Sequence, residues 1–164
     1  MKKPLLAAAL AFAVVSSPEV TALSAEEVSQ YLSGAGMGYA KAAELNRFPG
    51  PMHVLELGDR LQLSEAQRTA TRRLMDEHKA DARAIGVRLV EAEAAVEELF
   101  RNSNVDPTAL AQGVRNAAAL QGEYRLAHLE THRRMRALLT EDQVKRYDSL
   151  RGYSSEGAAQ PHRH

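Results

Sequence analysis

The chain has 164 residues, no Cys and no Trp, and 21 basic against 21 acidic side chains, so its formal net charge is zero. Without thiols a disulfide framework, thiolate catalysis and Cys-ligated zinc are excluded, and any metal site must be built from His, Met, Asp and Glu. The balanced charge argues against nucleic acid as a partner, and an aromatic content of 5% is low for a sandwich or barrel core.

Lys2-Lys3, an apolar run over residues 5–15 and a Ser16-Ser17-Pro18 break have the layout of a secretory signal peptide over residues 1–22. The cut falls after Ala22 or as late as Ala25. The run is shorter than the roughly 20 apolar residues that span a bilayer, and no later stretch is long and apolar enough, so stable membrane insertion is not expected. The implied destination is the periplasm of a Gram-negative bacterium. Residues 23–51 read as a Gly/Pro-rich mobile arm, with a short helix over 39–45 and a stiff Pro49-Gly50-Pro51 turn.

Residues 52–153 read as the folded domain. A short helix is expected over 52–60. Ser64-Glu65-Ala66-Gln67 then has the form of a capping box, in which Ser accepts from a free backbone N–H and Gln reaches back to the cap. Thr140-Glu141-Asp142-Gln143 repeats the device, and Leu precedes both boxes as Leu63 and Leu139. Two long periodic stretches lie between them, over 65–100 and 107–138, separated by loop residues and an Asp106-Pro107 start signal. At 1.5 Å per residue they make helices of about 54 Å and 48 Å. Ile85, Leu89, Ala92, Val96 and Leu99 recur at alternating intervals of four and three. Leu110, Val114, Ala117, Gln121, Tyr124, His128, Thr131, Met135 and Leu138 do the same. Such seams belong to an antiparallel pair. The fold expected is all-α: a long antiparallel helical hairpin with short flanking helices, forming a hooked four-helix protomer. A last helix covers 141–150, and residues 154–164 read as a disordered tail carrying His162 and His164.

The hairpin register gathers the histidines. Pairing Leu99 with Leu110 and Ile85 with Tyr124 places His78 opposite Thr131 and Met75 close to Met135. His128 and His132 are four apart and share a face. If the chain reverses at Leu61-Gln62-Leu63, His53 approaches Met75 and His78. The candidate metal ligands are therefore His53, His78, His128, His132, Met75 and Met135. Glu56 and Glu77 are further ligands or partners of the imidazoles. Neutral imidazoles suit zinc, copper, nickel or cobalt, and thioethers add affinity for Cu(I). The bland alternative is a buried His with a hydrogen-bond partner and Met as core filling. His128-Leu129-Glu130-Thr131-His132 lacks the Glu that directly follows the first His in a zincin. With no nucleophile–base pair, phosphate loop or cofactor motif, catalysis is not expected.

The two boxes, Leu63-Ser64-Glu65-Ala66-Gln67 and Leu139-Thr140-Glu141-Asp142-Gln143, with the hairpin between them, resemble the Spy/CpxP-type periplasmic stress proteins over residues 52–153. Within that superfamily the chain is similar to the periplasmic heavy-metal sensors and zinc-resistance-associated proteins, on His53 and the His128/His132 pair. It departs from the sensors in carrying His132 where Met is often found and Leu57 where a second His would sit. The resemblance implies a hooked hairpin that forms an antiparallel homodimer with a concave face. It implies either of two functions: a heavy-metal sensor or metal buffer, or an ATP-independent chaperone or envelope-stress adaptor. Its partners would be unfolded protein clients or an envelope signalling protein. A basic cluster of Arg72, Arg73, Arg133, Arg134 and Arg136 is the feature that would serve a client-binding face.

Overall fold

A computed structural model describes residues 20–103 and 105–153. The leader expected over residues 1–22 lies outside this span up to residue 19, as does the tail with His162 and His164. Among the described residues there are six helices and no strand: α1 (Ala25–Ser33), α2 (Lys41–Glu44), α3 (Pro51–Glu56), α4 (Glu65–Arg101), α5 (Pro107–Leu138) and α6 (Glu141–Arg151). None of these helices is long and apolar enough to cross a membrane.

Local chemistry sets the helix ends. Ser64 caps α4 through the Gln67 amide N–H, and Thr140 caps α6 through that of Gln143; both boxes are reciprocal. Asp106 caps α5 ahead of Pro107. The two box glutamines also bond each other. Gln67 Nε2 donates to Gln143 Oε1 at 2.8 Å, and Gln143 Nε2 to Gln67 Oε1 at 3.0 Å. Their second amide hydrogens go to the carbonyls of Leu138 and Leu61. Each carboxamide oxygen also accepts from its own cap N–H. The pair therefore satisfies every donor and acceptor it carries, and it ties the start of α4 to the start of α6.

The hairpin of α4 and α5 keeps the expected register. His78 Nδ1 lies 3.1 Å from Thr131 Oγ1, and Gly113 sits against Val96. The seam on α5 differs at two points. Val114 is 50% exposed and Gln121 is exposed, while Leu120 is buried. Gly113 lets Val96 approach the helix directly, which rotates Val114 outward, and Gln121 instead reaches out to the Tyr39 hydroxyl.

The span read as an arm is more ordered than its glycines suggest. Ser24 and Glu27 form a capping box that starts α1. Gly34, at φ +73°, closes the helix in the left-handed conformation that suits glycine. α1 packs on α4, with buried Tyr31 against Ala82, Val90 and Tyr124. A Cβ at Gly86 would stand 2.7 Å from the Tyr31 carbonyl carbon, so only glycine admits this approach. Before α1, the backbone amides of Thr21 and Ala22 donate to Glu97.

Two hydrophobic clusters result. The first, in mid-hairpin, joins Tyr31 to Ala82, Leu89, Val90, Leu120 and Tyr124. The second, at the open end, joins Val54, Leu61, Leu74, Met135, Val144 and Tyr147. His78, His128 and Thr131 occupy the stretch of hairpin between them, where a continuous apolar seam would otherwise run.

Candidate metal centre

A cleft of about 590 Å³ opens between the two clusters. α4 contributes Met75 and His78, and α5 contributes His128, Thr131 and His132. The 33–53 segment closes over them with Met37, Glu44, Gly50, Met52 and His53. All four candidate histidines and Met75 thus line one cavity. Met135 does not. Its side chain is fully buried in the open-end cluster, because α3 and α6 cover that part of the seam.

The hydrogen bonds settle which nitrogen of each imidazole carries the proton. His128 Nδ1 lies 2.9 Å from the Tyr124 carbonyl, which only accepts, so Nδ1 is the protonated nitrogen. His132 Nδ1 meets the Phe48 carbonyl at 2.7 Å in the same way. The Thr131 hydroxyl donates its one proton to the Ala127 carbonyl at 2.8 Å, so His78 Nδ1 must donate to Thr131 Oγ1. His53 Nδ1 faces the Glu56 carboxylate at 2.9 Å. Each neutral ring therefore holds its proton on Nδ1 and leaves the lone pair on Nε2, the arrangement that second-shell acceptors impose on metal-binding histidines.

Burial keeps the central pair uncharged. His78 is held at about 4 rather than 6.5, first by desolvation and then by the repulsion its protonated form would meet from protonated His128 and His132 and from Lys79. His128 is lowered by desolvation too, against an opposing pull from the Tyr124, Ala35 and Gly34 carbonyls. The two rings meet edge to face, with centroids 4.5 Å apart. His128 is 4% exposed, and its Nε2 is buried with no partner at hydrogen-bond geometry, on the side of the ring that faces the turn carrying the Gly34 and Ala35 carbonyls. A buried polar atom left so costs about 1–3 kcal/mol, and one in a native structure calls for an explanation.

The four histidines share a cavity but not one coordination sphere. Among the described residues no three His, Cys, Asp or Glu side chains stand close enough together to hold an ion. Only His78 and His128 have their rings in contact; His53 is drawn to Glu56 at one rim and His132 to Phe48 at another. The carboxylates are committed as well. Glu77 pairs with Arg134 at 2.7 Å on the exposed face. Glu44, which sequence spacing does not single out, lies 3.5 Å from His132 Nδ1. It also accepts from the Gly50 amide at 3.1 Å and from the Tyr147 hydroxyl. No periodic signal connects Glu44 to His132, because their contact crosses from the 33–53 segment to α5. Of the basic cluster, Arg73, Arg133, Arg134 and Arg136 all pair with carboxylates.

A family model described as heavy-metal resistance matches residues 32–146, which include the whole cleft segment, the hairpin and the start of α6. No curated protein and no solved structure matches the chain. The family match agrees with the resemblance read from the two capping boxes.

Proposed function

The chain belongs to the heavy-metal-resistance family, and from that premise we propose that it binds a transition-metal ion in the cleft and acts as a metal buffer or sensor. The family implies a metal ion, and the donor set fits one. His78 and His128 would hold it through Nε2, with Met75 on the same cavity wall. An ion so held is withdrawn from solution, which is the chemistry a resistance protein needs. The residues of this chain do the rest. The Tyr124, Phe48, Thr131 and Glu56 acceptors fix the tautomers, and burial holds His78 and His128 neutral.

One observation carries the reading: the buried Nε2 of His128 with no partner in the protein. The large majority of buried side-chain polar atoms are hydrogen-bonded. The signal-peptide layout read over residues 1–22 supports a periplasmic setting for this role. We propose a binding role and not catalysis, since the chain offers no nucleophile–base pair, phosphate loop or cofactor motif.

Calorimetric titration of the metal-free protein with Zn²⁺, Cu²⁺, Ni²⁺ and Co²⁺, and with Cu⁺ under reducing conditions, tests this beside a His78→Ala/His128→Ala variant. Micromolar or tighter binding of any of these ions that the double variant loses is expected. Absence of binding by the wild type, or equal binding by the variant, overturns it.

A further inference from the structure

We propose that the cleft is selective for a soft monovalent ion, Cu(I) or its analogue Ag(I), held by the thioethers of Met37, Met52 and Met75 together with the imidazoles of His78 and His128. The inference rests on the metal-binding reading above and adds the class of ion.

The methionines are distributed unevenly. The chain has five. Met1 lies outside the described residues and Met135 is in the open-end core, and the other three all line this cleft. Met37 packs partly against the mid-hairpin cluster, while Met52 and Met75 belong to neither cluster. Met37 holds φ +45°, a left-handed backbone that an unbranched side chain adopts at a cost. It does so between Gly36 and Gly38, in a loop that already uses glycine at the neighbouring positions. Met52 is 49% exposed at the rim, on the second residue of α3. Met75 is part-buried one turn before His78 on α4.

The harder donors are taken. Glu44 is occupied by the Gly50 amide and the Tyr147 hydroxyl, Glu56 by His53 and Glu77 by Arg134. Lys41, Lys79 and Arg151 also line the cleft and repel a dication more than a monocation, and the donors left to an ion are neutral: thioether sulfur and imidazole nitrogen. Zinc sites close with a full tetrahedral set of N, S or O donors, and such a set of His and carboxylates is not assembled here. Cu(I) accepts fewer ligands and prefers thioether and imidazole. Charge points the same way. Neutral ligands leave the full ionic charge in a low-dielectric cleft, and the Born cost grows with the square of that charge, so a dication is penalised about fourfold more than a monocation.

The test is a competition titration of Cu(I), under anaerobic reducing conditions, against a chromogenic Cu(I) chelator, with Ag⁺, Zn²⁺, Ni²⁺ and Co²⁺ titrated in parallel. The variants are Met37→Leu/Met52→Leu/Met75→Leu, which conserves volume, Met135→Leu as a core control, and His78→Ala/His128→Ala. The wild type is expected to hold Cu(I) at least ~100-fold more tightly than the dications, and the triple variant to lose at least ~30-fold of that affinity, or about 2 kcal/mol. The Met135 variant should bind as the wild type does. In spectra of methyl-¹³C-Met protein, Ag⁺ should move the signals of Met37, Met52 and Met75 and leave that of Met135. If the triple variant binds Cu(I) like the wild type while the His variant does not, thioether selectivity is overturned and the imidazole site stands. If the wild type binds none of these ions, the metal-binding reading itself falls.

Discussion

Replacing His128 with Leu separates a ligand from a core residue, because the two roles predict opposite signs for stability. In the metal-free protein His128 Nε2 is buried and unpartnered, and removing it recovers about 1–3 kcal/mol of desolvation cost. The change also removes the Nδ1 bond to the Tyr124 carbonyl, a loss of about 0.5–1.5 kcal/mol. That carbonyl keeps the ordinary helical bond from the backbone N–H four residues on, so no new orphan is created. Leucine then packs against Tyr124, whose ring centroid is 4.7 Å from the imidazole. The expected net effect lies between no change and about 2 kcal/mol of added stability. For a chain of this size that is a rise of up to about 8 °C in Tm. The assay is thermal and urea unfolding with a chelator present, alongside the metal titration. His128→Leu should unfold no earlier than the wild type and should lose metal affinity. A loss of 2 kcal/mol or more in the metal-free state, such as a core truncation gives, together with unchanged metal binding, would refute the reasoning.

Three further outcomes follow from the same geometry. Gly86→Ala drives a methyl group into the Tyr31 carbonyl; a loss of about 1–3 kcal/mol is expected, and hydrogen exchange should show it concentrated in α1 with α4 and α5 still protected. Gln67→Ala leaves the Gln143 amide without its partner, at about 1–3 kcal/mol. The Gln67→Ala/Gln143→Ala double variant should cost clearly less than the two singles added together, as a double-mutant cycle in urea would show. Acid should destabilise the metal-free protein through His78, whose folded value of about 4 lies below 6.5. The unfolded chain binds the extra proton between these values, so the contribution of neutral His78 is complete above about pH 6.5 and is lost as pH falls toward 4. With allowance for solvent screening of a part-exposed ring, this is worth about 1–2 kcal/mol. His78→Leu should flatten that part of the stability–pH curve, and a curve of unchanged slope would count against it.

The hairpin was legible because its signals are local. Ser64, Asp106-Pro107 and Thr140 mark helix starts by chemistry that acts within one turn, and the helices begin there. Its register was legible too, since a tight connection leaves little freedom, and His78 does face Thr131. Of the 23–51 segment only the short helix expected over 39–45 was legible, as α2. Its glycines suggested a free arm, yet their role is tertiary: Gly34 closes α1, and Gly86, far along the chain, makes room for it. The Ser24–Glu27 box was a local signal for α1 that the neighbouring leader and glycines obscured. Met37, Met52 and Glu44 follow no period, so only the closing of the segment over the hairpin brings them to the histidines. Met135 illustrates the converse. It keeps the seam's period with His128, but its neighbours along the axis are Val54 and Tyr147, so the same stripe is a cavity wall at one turn and dry core two turns later.

That alternation has a physical consequence for how the site is built. His128 takes its tautomer from the carbonyl four residues earlier on its own helix. His132 takes its own from a carbonyl of the covering segment, and His78 from a hydroxyl on the opposite helix. Three different levels of structure, helix, tertiary cover and hairpin register, therefore each fix one proton. Each leaves one Nε2 lone pair free. A slip of the register would not merely move His78; it would release its Nδ1 and let the proton shift to Nε2, abolishing the lone pair. The hydrophobic clusters on either side oppose such a slip, because it would misalign Leu89 with Leu120 on one side and Leu74 with Met135 on the other. Packing thus controls ligand chemistry at a distance, through proton position. It follows that Thr131→Val, which leaves the fold and the imidazole in place but removes the acceptor for His78 Nδ1, should weaken metal binding more than it weakens folding.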